Sequence, residues 1–83
     1  MSQIARTTTQ IGAVLRRERR KRGLTQGELG RRIGLRQATI SKLEKGEPAT
    51  QLRTLLDAIR ALDLQLTISE RGKAARQEIE DLY

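Results

Sequence analysis

Cysteine, histidine, phenylalanine and tryptophan are all missing from the 83 residues. Without thiols or imidazoles there is no disulfide frame, no thiolate nucleophile and no ordinary zinc site. No clustered carboxylates replace them as a nucleophile–base pair, so the residues offer nothing an enzyme would use. Neither a metal nor a cofactor is expected. Tyr83 is the one aromatic, so the core must be aliphatic, mostly Leu and Ile within a hydrophobic content of 36%. Apolar runs are also short. None nears the roughly 18 residues a membrane helix needs, and the N-terminus has no signal-peptide core. The absent thiols fit a reducing compartment. Together these gaps predict a small soluble cytoplasmic protein.

Positive charge is abundant and unevenly placed. The net charge is +7, and residues 1–34 carry nine Arg or Lys against two acids. Residues 35–46 add three bases and one acid, residues 47–70 are net acidic, and 71–83 balance. A polyanion is the favoured partner, nucleic acid above a membrane surface.

Taken in order, residues 1–6 lack periodicity and read as a flexible arm, with Arg6 in reach of a phosphate or minor groove. Thr7 with Gln10 fits a capping box, opening a helix that runs to about Arg22 and stops at Gly23. Its apolar face, Ile11, Val14 and Leu15, gives way to the basic run Arg16 to Arg22. Thr25 and Glu28 form a second capping box for a helix over about Gln26 to Ile33. Gly34 supplies the positive φ of a tight turn, and Gly30 is small where the next helix crosses. Gly27 has no comparable reason and costs the helix up to roughly 1 kcal/mol. The third helix spans about Gln37 to Lys45, with Arg36 as N-cap and Gly46 as stop. Thr50 is the expected N-cap of a fourth helix, about Gln51 to Ala61. There Leu52, Leu55, Leu56, Ile59 and Leu62 follow i, i+3, i+4, i+7 spacing, predicting the centre of the core.

The period then changes. Leu64 to Ser69 alternates apolar and polar, with Leu64, Leu66 and Ile68 on one side, which is a strand signal. A lone strand leaves its backbone unpaired, so pairing with a second copy in a homodimer is the economical solution. The other is an extended tail packed along the fourth helix. Residues 70–83 read as a mobile or weakly helical tail. The fold expected is all-α, with four to five helices over residues 7–69 and one C-terminal strand.

Two short capped helices joined by a glycine turn form a helix-turn-helix, whose second member reads the DNA major groove. With Gln37 at zero and about 100° per residue, Ile40 and Leu43 fall near 300° and 240° on the buried side. Ala38, Ser41, Lys42 and Lys45 fall opposite, and Gln37 stands at the exposed end. Gln37 suits a bidentate contact to adenine, Ala38 a thymine methyl, and Lys42 guanine O6 or N7. Ser41 can bond bases or phosphates, and Thr39 lies at the margin between base and backbone. Arg36 and Lys45 flank the row and suit phosphates, as does Gln26 at the start of the second helix. Glu44 points inward, toward an arginine of the first helix.

The run LTQGELGRRIGLRQATISKLEKG resembles the helix-turn-helix of the phage-repressor-like (XRE) family, and the resemblance extends from Thr7 to about Leu62. It implies a lambda-repressor-like fold in which Gln26 grips a phosphate, Gln37, Ala38 and Lys42 read bases, and Arg19 pairs with Glu44. Many relatives carry alanine in place of Gly30. More narrowly, RQATISKLEKG followed by LRTLLDAIRALDLQLTIS is similar to the HipB antitoxins of HipBA toxin–antitoxin modules. That similarity implies a homodimer paired through its C-terminal strands, bound to a palindromic double-stranded DNA operator. It further implies repression of its own operon and a HipA-like serine/threonine kinase toxin as partner. A stand-alone XRE regulator without a toxin, or a small protein-binding adaptor, are the competing readings.

Overall fold

The structure, a computed structural model, describes residues 3–71; expectations for the rest of the tail lie outside them. Four helices make up the ordered framework: α1 (Thr8–Lys21), α2 (Gln26–Ile33), α3 (Gln37–Glu44) and α4 (Leu52–Ala61). Local chemistry explains most of these boundaries. At α2, Thr25 Oγ1 accepts the Glu28 N–H and the Glu28 carboxylate accepts the Thr25 N–H, each at 3.0 Å, which completes the box. At α1 the box is displaced by one residue. Thr7 caps Gln10 as expected, but the Gln10 side chain accepts from the Arg6 N–H, not from Thr7. Gly34 ends α2 at φ 72°, and the Leu35 N–H reaches back to the Gly30 carbonyl at 2.8 Å. Thr50 does not cap α4. Gln51 holds that position with no side-chain bond, and Thr50 belongs to the preceding turn, its N–H bonded to the Glu47 carbonyl at 3.1 Å.

The core consists of Leu15, Leu29, Ile40, Leu43, Ala58 and Leu62, one or two residues from each helix and the α4 cap. The periodicity of α4 predicts that helix as the centre, but α4 contributes only Ala58 and its cap Leu62 to this cluster, with Leu55 and Ile59 partly buried against it. Of α4 itself only Ala58 is buried, while Leu52 and Leu56 are 66% and 38% exposed. At ~100° per residue Leu52 and Leu56 stand roughly 80° to 160° round from Ala58 and Leu62. One edge of the stripe faces the core, and the other faces outward.

Backbone proximity sets the angle of α1. A Cβ at Gly12 would lie 2.5 Å from the Glu44 carbonyl oxygen, and one at Gly46 would lie 2.5 Å from Thr9 Cα. These two glycines let α1 rest directly on the end of α3. At Gly30 the Leu35 carbonyl closes to 2.5 Å of the missing Cβ, so the alanine common among XRE-like sequences requires that carbonyl to move outward. Gly27 has ordinary space around it, and nothing in the structure explains its presence.

No β-ladder forms among the described residues, and residues 64–70 leave α4 without regular structure. Asp63, in the left-handed region at φ 57°, ends the helix, with the Leu64 N–H bonded to the Ile59 carbonyl at 2.9 Å. Leu64 packs on the core; Leu66 and Ile68 project from it, 51% and 91% exposed.

The α2 box gives stability an acid-sensitive component. The Thr25 backbone N–H, then its hydroxyl, hold the Glu28 carboxyl below the usual 4.5 of a glutamate. Glu18 is lowered too, first by its bond from Arg22. A depressed folded value means these contributions are complete above the unfolded pKa and lost as pH falls through the folded one. Glu28→Gln keeps the box without the titration. Its urea midpoint should therefore fall less than wild type's between pH of about 5 and 3. Parallel curves for the two proteins would refute this.

Candidate nucleic-acid interface

α3 is held by its inner side and presents its outer side to solvent. Ile40, Leu43 and Glu44 are buried, whereas Arg36, Gln37, Ala38, Lys42 and Lys45 are exposed. Thr39 and Ser41 are half-buried at the two flanks. Thr39 turns toward α4, where it lines a groove with Lys42, Glu47, Thr50 and Gln51. Glu47 is an acid near the reading row that a single-helix projection does not reveal. Its carboxylate accepts the Ala49 N–H at 3.3 Å. On α3 itself the only acid is Glu44, and it is buried.

Glu44 anchors the unit. Its Oε2 accepts from Arg19 Nε at 2.6 Å, and its Oε1 from Arg19 Nη2 at 3.0 Å. Arg19 Nη1 also donates to the Leu24 carbonyl at 2.7 Å, tying the turn before α2 into the network. This forked geometry matches a planar guanidinium to a carboxylate and raises the Arg19 pKa, with the hydrogen bonds it donates to Glu44 as the main cause. Both partners are almost wholly desolvated, so each depends on the other.

Gln26 stands at the first position of α2, where a phosphate contact is expected, yet its side chain turns inward. Its amide donates to Glu44 Oε1 at 3.1 Å. One amide proton is thereby used, and one remains for a phosphate. The predicted residues thus fall into three groups. Gln37, Ala38 and Lys42 form an open row bounded by Arg36 and Lys45; Ser41 and Thr39 flank it; Gln26 is tethered beside it to the buried pair. Leu64, Leu66 and Ile68 lie on the separate segment after α4. The sequence reading named Gly46 only as a helix stop, and overlooked Gly12 and the bond of Glu18 to Arg22 at 2.8 Å. A glycine inside an otherwise strong helix-forming stretch was the available signal for Gly12.

Comparison with known proteins agrees with this geometry. A family model described as helix-turn-helix matches residues 15–68. Antitoxin HipB of Escherichia coli strain K12 is 33% identical over 72 residues, which cover 87% of this chain and 82% of the relative. A solved HipB–O4 20mer complex superimposes with a TM-score of 0.80 at 32% identity, covering 86% of this chain and 100% of that one. A HipA–HipB–O2–O3 complex gives a TM-score of 0.79 at 32% identity over the same shares. The chain belongs to the XRE-type helix-turn-helix family and is similar in sequence and structure to the HipB antitoxins.

Proposed function

We propose that this chain is a sequence-specific double-stranded DNA-binding repressor, the antitoxin of a HipBA-type module. In this reading it represses its own operon and binds a HipA-like kinase toxin. The observation that carries it is the exposed row Gln37, Ala38 and Lys42, with no exposed acid on its own helix and held rigidly from behind by Ile40, Leu43 and the buried Glu44. A side chain that reads a base edge must be presented at a fixed distance and angle, and the buried network provides that constraint. In the assignment, Gln37, Ala38 and Lys42 contact bases, and Ser41 contacts base or phosphate. Arg36, Lys45, Thr39 and the free amide proton of Gln26 hold the backbone. The similarity to the HipA–HipB–O2–O3 complex supports the toxin partner.

The protein works as a homodimer in this proposal. Leu64 to Ser69 pairs with its own copy across a two-fold axis, giving backbone groups unpaired in one chain a partner. Two α3 helices then address half-sites about one turn, or ~34 Å, apart on a palindrome.

The test uses DNA from immediately upstream of the chain's own reading frame, against a scrambled duplex of equal length. Wild type should prefer the upstream duplex. Gln37→Ala should lose roughly 1–3 kcal/mol of that preference, about fivefold to 150-fold, while binding the scrambled duplex as before. A variant retaining full preference would remove Gln37 from the reading row. No preference in wild type would defeat the repressor assignment.

A further inference from the structure

The outer face of α1 carries cations that neither the core nor the reading row employs. Within the run from Arg16 to Arg22, Arg19 is taken by Glu44, Arg22 and Lys21 by Glu18, and Arg17 by Gln3. Arg16 and Arg20 are exposed, and neither side chain has a hydrogen-bond or ion-pair partner among the described residues. The run's single acid, Glu18, is committed to Arg22 and Lys21 and leaves Arg16 and Arg20 unbalanced. Arg16 and Arg20 stand one turn apart, where like charges repel. The fold leaves that repulsion uncompensated.

Their place relative to α3 follows from the contacts on either side. Gly12 packs under the Glu44 carbonyl, and Arg19 reaches the Glu44 carboxylate. Arg16 is one turn after the first and one turn before the second, on the same side of α1. It therefore emerges on the side of α1 that meets the end of α3, where Lys45 is exposed and Gln26 is tethered to Glu44. Arg20 continues the line toward the α1–α2 turn.

We propose that Arg16 and Arg20 form a second, sequence-independent phosphate-binding edge that grips the DNA backbone beside the half-site read by α3. This rests on the DNA-reading function proposed above and extends its footprint. Phosphates are favoured over an acidic protein surface because the edge lies on the side of α1 that meets the end of α3, where Lys45 is assigned to backbone contact.

The test is the salt dependence of binding by the intact chain and by Arg16→Gln/Arg20→Gln. Both proteins are titrated with upstream and scrambled duplexes of about 40 base pairs, long enough for two half-sites and their flanks. Salt is varied over roughly 50 to 200 mM. Each lost phosphate contact should flatten the log–log slope by about 0.9, so the double variant should lose close to 2 per protomer on both duplexes. The preference for the upstream duplex should stay unchanged, and the melting temperature should be equal or slightly raised, since both side chains are exposed, unpaired and mutually repelling. Wild-type slopes in the variant overturn the proposal and leave an acidic protein surface as the occupant. If wild type shows no preference, the reading function fails by itself, and the slope on scrambled DNA still decides the fate of this edge.

Discussion

Glu44→Ala should give a chain that does not hold its fold at physiological temperature. The substitution removes the acceptor of two Arg19 hydrogen bonds and one from Gln26. A guanidinium 8% exposed is then left with the Leu24 carbonyl alone. Breaking one partner out of a buried pair costs about 3–5 kcal/mol, because the other charge stays desolvated without compensation. Domains have roughly 5–15 kcal/mol in total, and one this small falls toward the lower end. The loss should appear as a collapsed thermal transition by circular dichroism. Removing both charges is the informative control. Arg19→Met with Glu44→Leu should recover much of the stability, since apolar side chains of similar size carry no desolvation penalty. A Glu44→Ala melting temperature within a few degrees of wild type would contradict the account, because 1 kcal/mol shifts a domain of this size by about 4–8 °C.

The same network shows what the sequence made legible and what it did not. α2 and α3 were readable almost to the residue because their limits are chemical and local. Thr25 and Glu28 close a box, and Gly34 takes the left-handed turn. The inward direction of Glu44 followed from its angle on α3, and the family resemblance pointed to Arg19 as its partner. Gly12 and Gly46 were less accessible, since their reason lies across space. Each makes room for backbone from a different segment, at 2.5 Å from where a Cβ would stand. Sequence spacing does not reveal such approaches. For Gln26 the position was legible, but the bond to Glu44 depends on how α2 lies against α3.

α4 was misjudged for an instructive reason. Its i, i+3, i+4 pattern identified a helix correctly but could not say how much of its stripe faces inward. Periodicity reports that a helix has an apolar side; burial depends on how many neighbours cover it. Here α2 covers one edge and leaves Leu52 and Leu56 outside. Leu66 and Ile68 are likewise uncovered within one chain. A monomer so short has little reason to expose this many large aliphatics unless something covers them.

Leu66→Asp tests what that cover is. If residues 64–69 pair across a two-fold axis, Leu66 and its copy meet on the buried face of a two-stranded ribbon. Two carboxylates would then face each other in an apolar setting, and like charges directly opposite are destabilising. Sedimentation should report monomer where wild type reports dimer. Circular dichroism should hardly change, because the chain's own core does not include Leu66. The consequence for DNA is larger than for the fold. A monomer reads one half-site, and losing the tether between two sites removes roughly 10²–10⁴ in apparent affinity without altering a single base contact. Gln37→Ala and Leu66→Asp should therefore weaken operator binding in different ways. The first lowers preference for operator over scrambled DNA at every protein concentration; the second restores binding when protein is raised enough to occupy both half-sites independently. A dimer that persists in Leu66→Asp would transfer the two-fold contact to other residues, with the outward edge of α4 at Leu52 and Leu56 next in line.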